Sequence, residues 1–70
     1  MPRTMVAEIR AVAALVKNVD RRFLLYNAAD FLAGRLHILA MAGDQASLQE
    51  VVAAYTIAAR IMREEGLEAA

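Results

Sequence analysis

From Phe23 to Ala42 the chain carries apolar residues at a density that dictates the rest of the architecture. Projected at about 100° per residue, Leu24, Leu25, Ala28, Phe31, Leu32, Leu36, Ile38 and Leu39 fall into one arc roughly 160° wide, which cannot face water. The opposite side holds Arg22, Asn27, Asp30 and His37, with Phe23, Tyr26 and Met41 lying among these polar residues. A helix this apolar needs cover on more than one side, and the flanking segments read as the cover.

The segment before it repeats Met5, Ile9, Val12, Val16 and Val19 at spacings of four, three, four and three, a heptad-like seam widened by Val6, Ala13 and Leu15. Arg3, Arg10 and Lys17 recur every seven residues on its outward side. The segment after it places Leu48, Val51, Val52, Tyr55, Ala58, Ala59 and Met62 on one helical face. Gln49, Ala53, Thr56, Arg60 and Arg63 fall on the other. Small residues at 53, 54, 58 and 59 let another helix approach closely. Alternation of the strand type is absent.

Punctuation divides this pattern into three helices, about 4–18, 21–42 and 47–65. Pro2 suits a first helical turn. Asp20 reads as the N-cap of the second helix, with Val19 and Leu24 placed for a hydrophobic staple, and Asn18 as the end of the first. The competing reading is one helix from about Arg3 to Ala42, on the order of 60 Å long, which would almost require a dimer. Gly43 reads as a left-handed C-cap. Ser47 with Glu50 three residues on reads as a capping box, with Asp44 a weaker rival start. Gly66 ends the third helix, leaving Leu67 to Ala70 as a frayed tail. The expectation is an all-α fold, a helical hairpin or three-helix chain forming one domain over 1–70 and assembling into a dimeric helical bundle.

Composition sharpens the expectation of assembly. Of the 70 residues 60 % are hydrophobic, against a usual apolar share of about 45–50 %, and a chain this short buries only about 60 % of its extended surface. There is no cysteine and a single histidine, so disulfides and a thiolate zinc site are excluded as staples. What remains is oligomerisation or unusually good packing. Formal charge is zero, which argues against a dedicated nucleic-acid or anionic-membrane binder. Residues 1–22 nevertheless carry a net +3 and residues 45–70 a net −2, a polarity that suits antiparallel pairing of the first and last segments or of two chains. No apolar run approaches the ~20 residues of a membrane crossing, and Glu8 and Arg10 interrupt any signal-peptide core. A cytoplasmic protein without membrane contact is the expectation.

Candidate chemistry is sparse. Asp30 and His37 lie two turns apart on the polar side of the second helix, roughly 10 Å between Cα atoms, too far for a direct hydrogen bond. Tyr26, one turn before Asp30, could bond to it. Arg35 projects into the apolar arc, where a guanidinium must snorkel out or pair with a carboxylate, and Glu50, Asp30 or an acidic residue of a second subunit are the candidates for a buried ion pair. Gly34 beside it costs the helix about 1 kcal/mol relative to alanine, so it needs a reason such as a close helix crossing. No nucleophile–base pair, phosphate loop, metal-ligand spacing or dinucleotide motif is present, and no enzymatic activity, cofactor or metal is expected.

Two function classes follow. The first is a homodimeric protein-binding module, an adaptor or inhibitor of a larger regulator. It would contact its partner through Phe23, Tyr26, Asp30, His37 and Met41, since exposed aromatic and apolar groups make binding hot spots. The second is a DNA-binding regulator using the basic face formed by Arg3, Arg10, Lys17, Arg21 and Arg22. The missing helix-turn-helix glycine spacing and the acidic last helix count against it.

Overall fold

Caps and turns set the element boundaries. The structure, a computed structural model, describes residues 2–66. Among the described residues it is all-helical, with α1 at Pro2–Ala13, α2 at Val19–Ala42 and α3 at Gln45–Glu64. The expected tail, Leu67 to Ala70, lies outside the described residues.

The α1–α2 junction corrects the sequence reading twice. α1 stops at Ala13, five residues early, and the chain tightens through backbone bonds from Leu15 to Val12 (2.9 Å) and from Val16 to Ala13 (3.1 Å). This i to i−3 tightening turns Val16 into the core and leaves Leu15 outside. Asn18, not Asp20, then caps α2: its backbone is extended and its side-chain oxygen accepts the Arg21 N–H at 3.0 Å. Asp20 lies inside the first turn, where a carboxylate still complements the helix dipole. The single continuous helix is thereby excluded.

At the far end of α2, Gly43 takes the left-handed conformation (φ 63°) and its N–H reaches Leu39 O at 2.8 Å, as the sequence predicts. The start of α3 differs. Asp44 is its cap, accepting the Ser47 N–H at 2.9 Å, so the helix begins two residues early and the capping box does not form. Ser47 is buried beneath the cap, and Glu50 is free to turn elsewhere.

One hydrophobic cluster joins the three helices. Val6, Ile9, Val12, Ala13 and Val16 come from α1 and its turn, Leu25, Ala29 and Leu32 from α2, and Val51, Ala54, Ala58, Ile61 and Met62 from α3. α2 packs against both others. The short connections make each sequential pair antiparallel, and charges tie the pairs together: Arg10 to Asp30 at 2.9 Å across α1 and α2, Arg35 to Glu50 at 3.1 Å at one end of α2 and α3, and Arg21 to Glu64 and Glu65 at the other.

The Cα envelope measures 37 × 20 × 15 Å. Its thinnest dimension leaves little more than one interhelical spacing of about 8–10 Å, so α2 is covered on one side only. The expected arc splits accordingly. Leu25 and Leu32 are buried and Leu36 and Leu39 half-buried, whereas Leu24, Phe31 and Ile38 are exposed. The inward face of α3 is likewise rotated from the expected one: Ser47, Val51, Ala54, Ala58, Ile61 and Met62 point in, while Leu48, Val52 and Tyr55 point out.

Candidate functional site

α2 carries two apolar registers, and only one is used inside the chain. The inner register, Leu25, Ala29, Leu32, Leu36 and Leu39, steps by four, three, four and three and holds the core. The outer one, Leu24, Asn27, Phe31, Gly34, Ile38 and Met41, steps by three, four, three, four and three. Every residue of it is exposed. A repeat of alternating three and four is the pattern of a helix–helix seam, and the outer face of α2 carries that pattern at the surface.

The side chains flanking this seam are fixed by α3 and α1. The Arg35 guanidinium stacks on Phe31, 5.1 Å from the ring centroid, while its Nε forms an ion pair with Glu50 on α3 at 3.1 Å. The pair forms at the surface, with 36 % and 41 % of the two side chains open, rather than buried in the apolar arc as the projection implied. On the same side, Leu24, Ala28, Phe31, Ala53 and Ile57 line an open apolar groove of about 430 Å³ between α2 and α3. On the other side, Val6, Ala7, Arg10, Ala33, Leu36, His37 and Ala40 line one of about 420 Å³ between α1 and α2.

The expected partner-binding residues spread over this face unevenly. Phe23 and Met41 stand on its outward side, Met41 being 77 % exposed. Asp30 is exposed but engaged by Arg10, and His37 is exposed at the rim of the α1–α2 groove beside Arg10. Tyr26 is half-buried against the core and makes no hydrogen bond to Asp30. Residues that the sequence pattern assigns to the interior, Leu24, Phe31 and Ile38 on α2 and Leu48, Val52 and Tyr55 on α3, add to the exposed apolar surface of Phe23 and Met41. The signal that could have found the three on α2 is its second three-four register, which no single apolar arc accommodates.

The basic face is not assembled. Arg3 lies in the first turn of α1, Lys17 falls in the turn after it, and Arg21 and Arg22 belong to α2. Arg10 is held by Asp30, and Arg21 donates from Nε to Glu65 and from Nη2 to Glu64. Those hydrogen bonds raise the Arg21 pKa above its ordinary value and lower that of Glu64, so the three side chains form a closed charge cluster. Donation from Ser47, through its hydroxyl and its backbone N–H, likewise holds the Asp44 carboxyl below its usual range, consistent with its cap role.

Among the described residues no three acidic, histidine or cysteine side chains converge to hold a metal ion, and no helix is long and apolar enough to cross a membrane. No protein-family model, curated protein or solved structure matches this chain.

Proposed function

We propose that this protein is a cytoplasmic, non-enzymatic interaction module, a helical homodimer that acts by binding another protein as an adaptor or as an inhibitor of a larger regulator. The observation that carries the reading is apolar surface in excess of a completed core, drawn out in two lengthwise stripes. One is the outer register of α2, and the other is Leu48, Val52 and Tyr55 on the far side of α3. Contiguous patches of this kind mark association surfaces. Two stripes on different helices leave one face for a second copy and one for a different protein. The DNA-binding reading has less behind it, because Arg10 and Arg21 already answer carboxylates within the chain.

Sedimentation equilibrium across micromolar concentrations tests the first half: the expected mass is twice the 7.6 kDa of one chain. A photoreactive amino acid substituted at Val52, which is open to solvent, tests the second in cells of the source organism. The expected product is a discrete adduct with a different protein that disappears when Tyr55→Asp is added. A single-chain mass at every concentration together with no adduct overturns the proposal.

A further inference from the structure

We propose that the outer register of α2 is completed by a second copy of this chain, the two α2 helices lying antiparallel about a two-fold axis level with the Leu32–Ala33 peptide. The inference deepens the homodimer reading and rests on it.

Four observations select this occupant and this register. The spacing of the seam reads the same from both ends, so antiparallel pairing about that axis matches all six positions at once: Leu24 meets Met41 of the second copy, Asn27 meets Ile38, and Phe31 meets Gly34. Slipping by one heptad in either direction leaves end positions unmatched and sets Phe31 against Asn27 or Met41. Parallel pairing stacks Phe31 on Phe31 and leaves a gap between two glycines.

The central layer is a knob and a hole. A Cβ built on Gly34 meets nothing within 4 Å, so that surface is open, and the opposing ring can settle on bare backbone. Phe31 is presented for the purpose, since Arg35 stacks on its ring at 5.1 Å and is itself anchored on α3 by Glu50 at 3.1 Å. This also gives Gly34 its reason: glycine is unfavourable in mid-helix and useful where a second helix must come close.

Charges beside the seam agree. In an antiparallel pair the residues that precede Leu24, Phe31 and Ile38 face their own kind across the interface. The three here are Phe23, Asp30 and His37, so Asp30 lies opposite His37 of the second copy, and by symmetry the contact occurs twice. A carboxylate thus meets an imidazole able to donate to it, and no like charges are opposed.

The area is also sufficient. Phe23, Leu24, Phe31, Ile38 and Met41 keep between 40 and 77 % of their surface open, which at roughly 200 Å² per large side chain is about 500 Å² of apolar surface per chain. A standard interface takes about 800 Å² from each partner, and homodimer interfaces are about 65 % apolar, so the requirement is of the same size.

The test uses the absence of cysteine from the chain. Leu24→Cys and Met41→Cys each sit at exposed positions, so neither disturbs the core, and a short bis-maleimide reagent reports proximity. Two Leu24 residues would be separated by about 25 Å along the antiparallel pair, so each variant alone is expected to give little covalent dimer. Their mixture is expected to give roughly tenfold more, as an isologous contact between unlike positions requires. Cross-linking of each variant with itself shows parallel pairing and overturns the inference. A sedimentation dimer that cross-links in none of the three samples has its interface elsewhere, and it overturns the inference while sparing the homodimer reading. A single-chain mass at all concentrations overturns both.

Discussion

Replacing Gly34 with alanine separates the stability of one chain from the stability of the pair. Gly34 is the sixteenth of 24 residues in α2, far from either cap, and an added Cβ meets nothing within 4 Å. The substitution therefore acts on an isolated chain through helix propensity alone, a gain of about 1 kcal/mol. For a domain of this size that raises the melting temperature by roughly 4–8 °C. In the antiparallel pair the same methyl group intrudes twice, once under each Phe31. Overpacking a fitted contact costs about 1–3 kcal/mol, so two of them cost about 2–6 kcal/mol and weaken the dimer by about 30-fold or more in Kd.

Opposite signs make the result hard to mistake. Far-UV circular dichroism melts in dilute solution, below the dissociation constant, read the chain alone, because association stabilises only through concentration. Sedimentation equilibrium at higher concentration reads the pair. The expected outcome is a higher melting temperature when dilute and a weaker dimer when concentrated, with Gly34→Leu exaggerating the second effect. If Gly34→Ala leaves the dimer as tight as before, or tightens it along with the helix, no second backbone approaches at this residue and the glycine has another cause.

Three further predictions follow from the fold. Asn18→Ala removes the side chain that accepts the Arg21 N–H and is expected to cost about 1 kcal/mol in chemical denaturation; Asp20→Ala removes only a first-turn charge and costs a few tenths, so a larger loss at Asp20 would return the helix start to the later position. Leu32→Ala opens a cavity at a fully buried position at a cost of about 2–5 kcal/mol, comparable with the whole stability of roughly 4–10 kcal/mol for 70 residues; loss of the cooperative melt in dilute solution is expected, and a wild-type melt would refute the core assignment. Asp44 and Glu64 are depressed below their ordinary values of 3.8 and 4.5 by the hydrogen bonds they accept, so the unfolded chain takes up protons more readily than the folded one. Their contribution is present above those values and is lost as pH falls through the depressed ones. The melting curves of wild type and Glu64→Gln are therefore expected to differ at neutral pH and to converge in acid, and a gap of constant size would show that the Arg21 cluster adds nothing.

What could be read from the sequence follows the range over which its causes act. Helix number and the Gly43 stop are local matters, since left-handed backbone favours glycine whatever surrounds it, and both match the structure. The pairing of Arg35 with Glu50 was among the readable alternatives because an arginine amid apolar residues has few ways to be satisfied. The junction at 14–18 was misread because its cause is tertiary. Ala13 and Ala14 are strong helix formers, and the chain leaves the helix there so that Val16 can close the core and Asn18 can cap α2. No glycine or proline marks the place. At α3 two acceptable caps stood three residues apart, and the earlier one prevailed while Ser47 became buried and Glu50 met Arg35.

The misassigned faces teach more than the boundaries do. A sequence reports that a residue is apolar without saying which surface it will meet, and α2 is apolar nearly all round. In a large protein such a helix would be enclosed. Here two neighbours and a body only 15 Å thick leave its outer register uncovered. Composition thus points to an excess of apolar side chains, and the structure shows one: Phe23 and Met41 are exposed as expected, whereas Tyr26 packs against the core. What the projection hides is a further share within the arc itself, at Leu24, Phe31 and Ile38. Both three-four registers were visible in the string of letters. Only the positions of α1 and α3 say which register is spent on folding and which stays at the surface, and Gly34, costly to the helix and idle in the core, lies in the second.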